Sequence, residues 1–424
     1  MRRFKITLLT SIGSGIEYYD LVIYSLLAKF ISQQFFPGDN QVAQLFATFG
    51  VLALGQLARI LGGTLFGVLG DRFGRKYIFS NLLLWVSLMT FLMGLVPSFH
   101  SMGIGATLLF SLCRILQCFF YSAELPGAMT MLTEYIDQKK HGLHFGCMVA
   151  AKGVGVAFAA WVIGLLTSLL SPEQMSVWGF RIPFLLGGVF AGIGFYIRKV
   201  LPETPVFLAM KPAGVKLDKE VIKQQLRPII TIMGIMLLPT SILTFDLIFP
   251  VYLNSVYHFD LTDVYFWASY GALWSVILVP TLGFISDYMG RKKLFIITVS
   301  VMLATIFPVF SLLNTGSKSS LILYIFFIQT IKSGLSASYI ALIPRAFDAA
   351  TRYSGVSIGY NLSWSLAAMV PLLANYLYGV LGRTDHIIWL FVILAMVGTF
   401  SVIGLEYKPI APEQSAIARS ERSE

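Results

Sequence analysis

Twelve apolar stretches follow one another along this chain, each close to or above the length of a bilayer crossing. A helix crosses roughly 30 Å of hydrocarbon with about 20 residues. The stretches cover 7–31, 42–69, 77–97, 104–134, 143–170, 180–200, 228–256, 263–287, 294–313, 319–343, 353–381 and 386–405. Several exceed the minimum, so tilt or extension beyond the lipid is expected. Gly and Pro interrupt the stretches, and none shows the roughly ten-residue alternation of a barrel strand, so they read as helices. Charged residues are only 12% of the 424 and hydrophobic ones 56%, where an ordinary soluble domain carries roughly 25% charged residues. The chain is read as an all-α integral membrane protein.

The net charge of +10 would suit nucleic acid, but its distribution points to topology instead. Arg2, Arg3 and Lys5; Arg72, Arg75 and Lys76; Lys139 and Lys140; the cations from Arg198 to Arg227; Arg291, Lys292 and Lys293; Arg345 and Arg352; and Lys408, Arg419 and Arg422 fall on one side. The opposite loops hold Lys318 and Arg383. The positive-inside rule then places both termini in the cytoplasm. Arg2, Arg3 and Lys5 precede an apolar run that carries Glu17 and Asp20 and has no small-residue cleavage site, so it is read as a retained first helix. The polar, Pro- and Lys-containing segment 201–226 is expected to link a six-helix bundle over 1–200 to another over 227–405, with 406–424 a disordered cytoplasmic tail. Cys113, Cys118 and Cys147 show no CxxC spacing, and the five histidines no ligand pairing, so no metal or cofactor is expected.

One motif occurs twice, as GVLGDRFGRK at 67–76 and GFISDYMGRK at 283–292. Gly67, Asp71, Arg72, Gly74 and Arg75 in the first copy, with Asp287 and Arg291 in the second, are expected to build tight cytoplasmic turns that gate conformational change. Glycine permits close helix approach, and Asp can face a helix N-terminus. A repeat at half the chain length implies two parallel halves.

With these motifs the chain resembles the major facilitator superfamily, and within it the metabolite:proton symporter branch of proline/betaine, α-ketoglutarate, citrate and shikimate permeases. The first span reads GSGIEYYDLVIY. The second follows the branch's glycine-rich span, RILQCFFYSAELPGAMTMLTEY its fourth, YIRKVLPETPVF the exit of its sixth, and RYSGVSIGYN the start of its eleventh. The resemblance implies twelve helices in two six-helix bundles around a cavity that opens to alternate sides, in a functional monomer of the bacterial inner membrane. It also marks Arg59 as mainly structural. Cys118 and Ser122-Ala123 replace glycines of the fourth-span pattern. Arg345-Ala346-Phe347-Asp348 reverses the charge of the usual segment before span eleven. The long C-terminal coiled coil of osmosensing members is missing, so an osmosensing role is not expected.

Ionisable groups in a span cost roughly 2.5–3.5 kcal/mol each on insertion scales, so they need partners or a wet cavity. Glu17, Asp20, Glu124 and Asp246 face Arg59, Arg114, Lys152 and Lys332. Glu17, Asp20 and Tyr24 share one helix face, as do Arg114, Gln117, Tyr121 and Glu124. Asp20 and Glu124 are expected to carry a proton, with Glu17 assisting and Arg114 as the switchable cation; the competing role is a permanent ion pair that fixes packing. Lys152 is expected either to bind a substrate carboxylate or to snorkel. Lys332, with Gln329 on its stripe, is the better substrate contact, and Asp246 either pairs with Lys332 or meets a substrate ammonium. Gln117 and Tyr121 are further candidates. Tyr360 and Trp364, with Tyr18, Tyr19, Trp161 and Trp274, offer faces for cation–π contact, and Asn361 a neutral hydrogen-bonding group. These charges suit proton-driven symport of a small carboxylate-bearing solute: an amino-acid-like zwitterion, a betaine or an organic acid. Export of a metabolite or drug is the alternative, and a non-transporting sensor a more remote one. No enzyme motif stands out.

Overall fold

The computed structural model describes residues 2–36, 41–210, 219–370, 373 and 385–408. Among them every predicted span has a helix at its centre. The chain forms two compact units, Met1–Ala128 with Ala151–Glu203, and Met129–Ala150 with Thr204–Glu424.

The helices that contribute to the first unit are α1 (Arg2–Leu26), α2 (Ala28–Phe35), α3 (Gln41–Phe73), α4 (Arg75–Leu95), α5 (Ile104–Tyr121), α6 (Glu124–Tyr135), α7 (His141–Leu169) and α8 (Arg181–Lys199). Helices α1 and α2 are one span, with Leu27 accepting from and donating to its neighbours across the junction. Helices α5 and α6 are likewise one crossing. Helix α4 packs along α8 and α5, α3 along α5, and α1 along α8. In lipid such contacts rest on close fit rather than on transfer from water. A Cβ on Gly155 would lie 2.0 Å from the Gly15 carbonyl oxygen, so α1 and α7 meet backbone to backbone. At one end of the unit, Phe35 stacks on Phe110 at 4.1 Å between ring centroids, and Tyr24 and Phe184 pack on the same ring.

The second unit holds α9 (Lys219–Tyr257), α10 (Leu261–Met289), α11 (Arg291–Leu313), α12 (Lys318–Leu342), α13 (Arg352–Ala367) and α14 (Asp385–Ile403). Helix α10 packs on α12, α11 on α12 and α14, and α9 on α13 and α14. Helix α9 begins inside the segment expected as linker. Residues 129–150, the end of α6 and the start of α7, belong to this unit by contact.

The duplicated motif forms the same turn twice. Gly74 (φ +117°) stands between α3 and α4, and Gly290 (φ +98°) between α10 and α11. Side chains with a Cβ rarely adopt this backbone conformation. Neither glycine offers a side-chain cap. Glu203 supplies one for α4 from a distance, its carboxylate oxygens accepting the Lys76 N–H at 3.1 and 3.3 Å.

Candidate transport site

The buried charges of the first unit converge from six helices. Glu17 and Asp20 lie on α1, Arg59 on α3, Arg114 on α5, Glu124 at the start of α6, Lys152 on α7 and Arg198 in the last turn of α8. None is more than 6% exposed. Helical spacing puts Glu17 and Asp20 one turn apart on the same face.

Glu17 has three cations around it, Lys152 foremost, then Arg198 and Arg59, with the Tyr121 hydroxyl also beside it. Lys152 Nζ stands 4.7 Å from the Tyr18 ring centroid, and the Arg59 guanidinium 4.8 Å from that of Tyr121. The two rings are 6.4 Å apart. Two cations on two tyrosine faces therefore flank one carboxylate.

Asp20 has hydroxyls and the Glu17 carboxylate beside it rather than a cation. Ser87 donates to its Oδ2 at 3.0 Å, and Thr90 is a second hydroxyl neighbour. A Cβ on Gly187 would lie 2.4 Å from its Oδ1, so the glycine makes room for the carboxylate. Gln117 Nε2 donates to Thr90 Oγ1 at 2.6 Å and to the Asp20 carbonyl oxygen at 3.4 Å.

Arg114 is not the cation that meets a carboxylate. It donates to Gln117 Oε1 and lies 4.3 Å over the Tyr24 ring. The partner of Glu124 is Arg198, in an ion pair with neither side chain exposed. Arg198 also donates to the Phe79 carbonyl oxygen at 3.2 Å and covers the Phe79 ring at 3.9 Å. The sequence reading placed Arg198 among the linker's cations. Helix α8 instead continues to Lys199, and successive helix residues point about 100° apart, so Arg198 turns inward while Lys199 remains at the surface.

In the second unit, Gln329 on α12 accepts from Ser275 at its Oε1 (3.0 Å). Ser333 donates to Ser275 at 3.1 Å and to the Gln329 carbonyl oxygen at 2.7 Å. Lys332 is partly buried on the same helix. Tyr360 and Trp364 have ring centroids 6.2 Å apart. Asn361 is fully buried, and its Nδ2 donates to the Ser357 carbonyl oxygen at 2.7 Å. The side chain of Asp246 lies outside the described residues. Tyr19 is buried, its hydroxyl donating to the Pro183 carbonyl oxygen at 3.0 Å. Trp161 is 61% exposed and stacks on Phe158.

The second copy of the repeated motif meets the 129–150 hairpin. Asp287 accepts the N–H of Gly142 at 2.7 Å and of Leu143 at 2.9 Å, capping the N-terminus of α7, where the helix dipole favours an anion. Arg291 pairs with Asp287 at 2.7 Å and donates to the Gln138 carbonyl oxygen. Arg352 pairs with Glu134 at 2.8 Å, both side chains unexposed. In the first unit the corresponding Asp71–Arg75 distance is 3.5 Å, and Arg72 is exposed.

The family profile described as Major Facilitator Superfamily matches residues 10–369. The chain belongs to the major facilitator superfamily. It is 30% identical over 380 residues to a putative proline/betaine transporter of Staphylococcus haemolyticus, covering 88% of this chain and 81% of that one. It is 27% identical over 388 residues to the proline/betaine transporter of Salmonella typhimurium, covering 87% and 76%. Among solved structures, the proton:xylose symporter XylE bound to 6-bromo-6-deoxy-D-glucose superposes with a TM-score of 0.74 at 15% identity, over 98% of each chain. A bacterial homologue of the iron transporter ferroportin in an outward-facing state gives 0.69 at 14%, over 94% of this chain and 98% of the other. The chain therefore has the twelve-helix facilitator fold and is a multi-pass membrane transporter of a small solute.

Proposed function

We propose that this transporter couples proton entry to uptake of a small zwitterion that carries a carboxylate and an ammonium, of the proline or betaine kind. One observation carries the reading: three carboxylates, Glu17, Asp20 and Glu124, sit fully buried in one bundle with Lys152, Arg59, Arg114 and Arg198. The protonation of a buried carboxylate follows the charges beside it, so a movement that parts Glu124 from Arg198 changes its affinity for a proton. Asp20, whose carboxylate accepts from Ser87 and neighbours Thr90, takes a proton without breaking an ion pair. Lys152 offers charge to a solute carboxylate, and the Tyr18 and Tyr121 faces suit an ammonium. In the second unit, Gln329, Lys332, Tyr360, Asn361 and Trp364 remain the candidate solute contacts. The names of the relatives support the solute class, and the positive-inside pattern supports cytoplasmic termini.

The test is uptake into proteoliposomes. Labelled proline or glycine betaine accumulates when an inward proton gradient is imposed, and a protonophore abolishes the accumulation. Accumulation of neither, or accumulation indifferent to the protonophore, overturns the proposal.

A further inference from the structure

Residues Leu405–Lys408, one position past the end of α14, lie across the ends of three other helices of the second unit. The Lys408 N–H donates to the Arg345 carbonyl oxygen at 2.7 Å, in the 3-10 turn that follows α12. Lys292, in the first turn of α11, donates from Nζ to the Leu405 carbonyl oxygen at 2.6 Å and to that of Ile403 at 3.5 Å. Glu406 pairs with Arg227 of α9 at 3.1 Å, and Lys408 Nζ approaches Asp348 at 3.9 Å. Two cations approach the Tyr407 ring, the Arg345 guanidinium at 4.0 Å and the Lys292 ammonium at 5.0 Å from its centroid.

These contacts border the groups that hold the hairpin. Arg291 and Arg352, which bind Gln138 and Glu134, act on Arg345 as like charges. Three guanidinium groups near one another repel, and an aromatic face beside one of them offsets part of that cost. Burial pushes the Tyr407 phenol above its ordinary value, so the ring stays uncharged through the working pH range.

We propose that Leu405–Lys408 is an intramolecular clasp that keeps the cytoplasmic ends of α9, α11 and α12 in the arrangement that docks the 129–150 hairpin, and that withdrawing Tyr407 shifts the protein toward the undocked state. The clasp rests on the sequence expectation that the Asp287–Arg291 turn gates conformational change, with the hairpin that this turn holds as the part that moves. Its contacts are of two strengths. The exposed Glu406–Arg227 pair adds little, whereas Tyr407 meets two cations and the Lys292 ammonium satisfies two carbonyl groups at the end of α14. The charge reversal that puts Arg at position 345 has a use here: a carboxylate there would repel the face of the Tyr407 ring.

The test is a distance measurement between spin labels on Lys139→Cys and Lys293→Cys, both exposed positions, in the full-length protein with its native cysteines replaced. The parent gives one short distance. Tyr407→Ala is expected to raise the ratio of long to short distances roughly tenfold, the order that losing two cation–π contacts implies, while Tyr407→Phe keeps the parent distribution. Lys292→Met, which removes one cation and its two carbonyl contacts, is expected to shift the ratio in the same direction and serves if Tyr407→Ala does not fold. Asp287→Asn separates the two readings. If Asp287→Asn opens the hairpin and neither clasp variant does, the clasp is wrong and the gate stands. If none of the three opens it, the moving-gate reading fails and takes the clasp with it.

Discussion

Glu124 and Arg198 form an ion pair in which neither side chain reaches the surface. Removing one partner leaves the other charged and buried, which typically costs about 3–5 kcal/mol, while removing both together is far milder. Glu124→Gln and Arg198→Gln should each lower the melting temperature sharply in detergent. The double variant should recover most of the loss yet fail to accumulate solute under a pH gradient. Equal stability of parent and single variants would show that the pair is dispensable to the fold.

Asp20 is bound by Ser87 and neighboured by Thr90 rather than by a cation. Asp20→Asn preserves the shape and the hydrogen-bonding site, so it should leave folding intact. Gradient-driven accumulation should stop while exchange of labelled for unlabelled solute continues. Accumulation at the parent level would take Asp20 out of the coupling mechanism.

Lys152 is paired by charge with Glu17 and by its ammonium with Tyr18. In Lys152→Gln, the half-saturation constant for a carboxylate-bearing solute should rise by about tenfold, the worth of one charge-assisted hydrogen bond. Binding followed by calorimetry would expose the opposite case, an unchanged constant with lowered stability, which marks a purely structural lysine.

Asp287 accepts two backbone N–H groups of the hairpin and pairs with Arg291. Asp287→Asn keeps a hydrogen-bond acceptor but loses the charge that favours a helix N-terminus, a loss of about 1–2 kcal/mol. Turnover should change while the order of preference among solutes does not. A reordered solute profile, measured by competition, would place this carboxylate in recognition rather than in gating.

Gly290 has φ +98° at the turn between α10 and α11. Gly290→Ala should destabilise the protein by roughly 1–2 kcal/mol through backbone strain. Gly74→Ala should cost a similar amount at the matching turn. Thermal unfolding of the two variants is the check, and a neutral result at either position would mean that the turn relaxes.

Periodicity explains what was legible beforehand. Glu17 and Asp20 share a face because they are one helical turn apart, and Asp71, Gly74 and Arg75 recur as Asp287, Gly290 and Arg291 because the same turn is built twice. The partner of Glu124 was hidden. Arg198 stands beside Lys199 and before a Pro-containing exit, a setting that looks like a solvated helix end. Only the phase of α8, which sends adjacent residues to different faces, distinguishes the inward arginine from the outward lysine. Arg114 faced the opposite difficulty: its stripe with Gln117 was visible, but Gln117 itself takes the guanidinium. The meeting of Asp287 with Gly142 and Leu143 joins positions that no local pattern relates. Tyr407 was read as part of a free tail because cation–π contacts with Arg345 and Lys292 leave no spacing signature.

The hairpin also meets α10 where neither chain has a side chain to spare. A Cβ on Gly283 would lie 2.3 Å from the Gly142 carbonyl oxygen, and one on Gly142 would lie 2.1 Å from that of Gly283. One added methyl group at that crossing is therefore a wedge. Placed at Gly283, where the nearest atoms are all hairpin backbone, it offers a way to push the hairpin off its seat without touching any charged residue, and so to separate the role of the backbone crossing from that of the ion pairs.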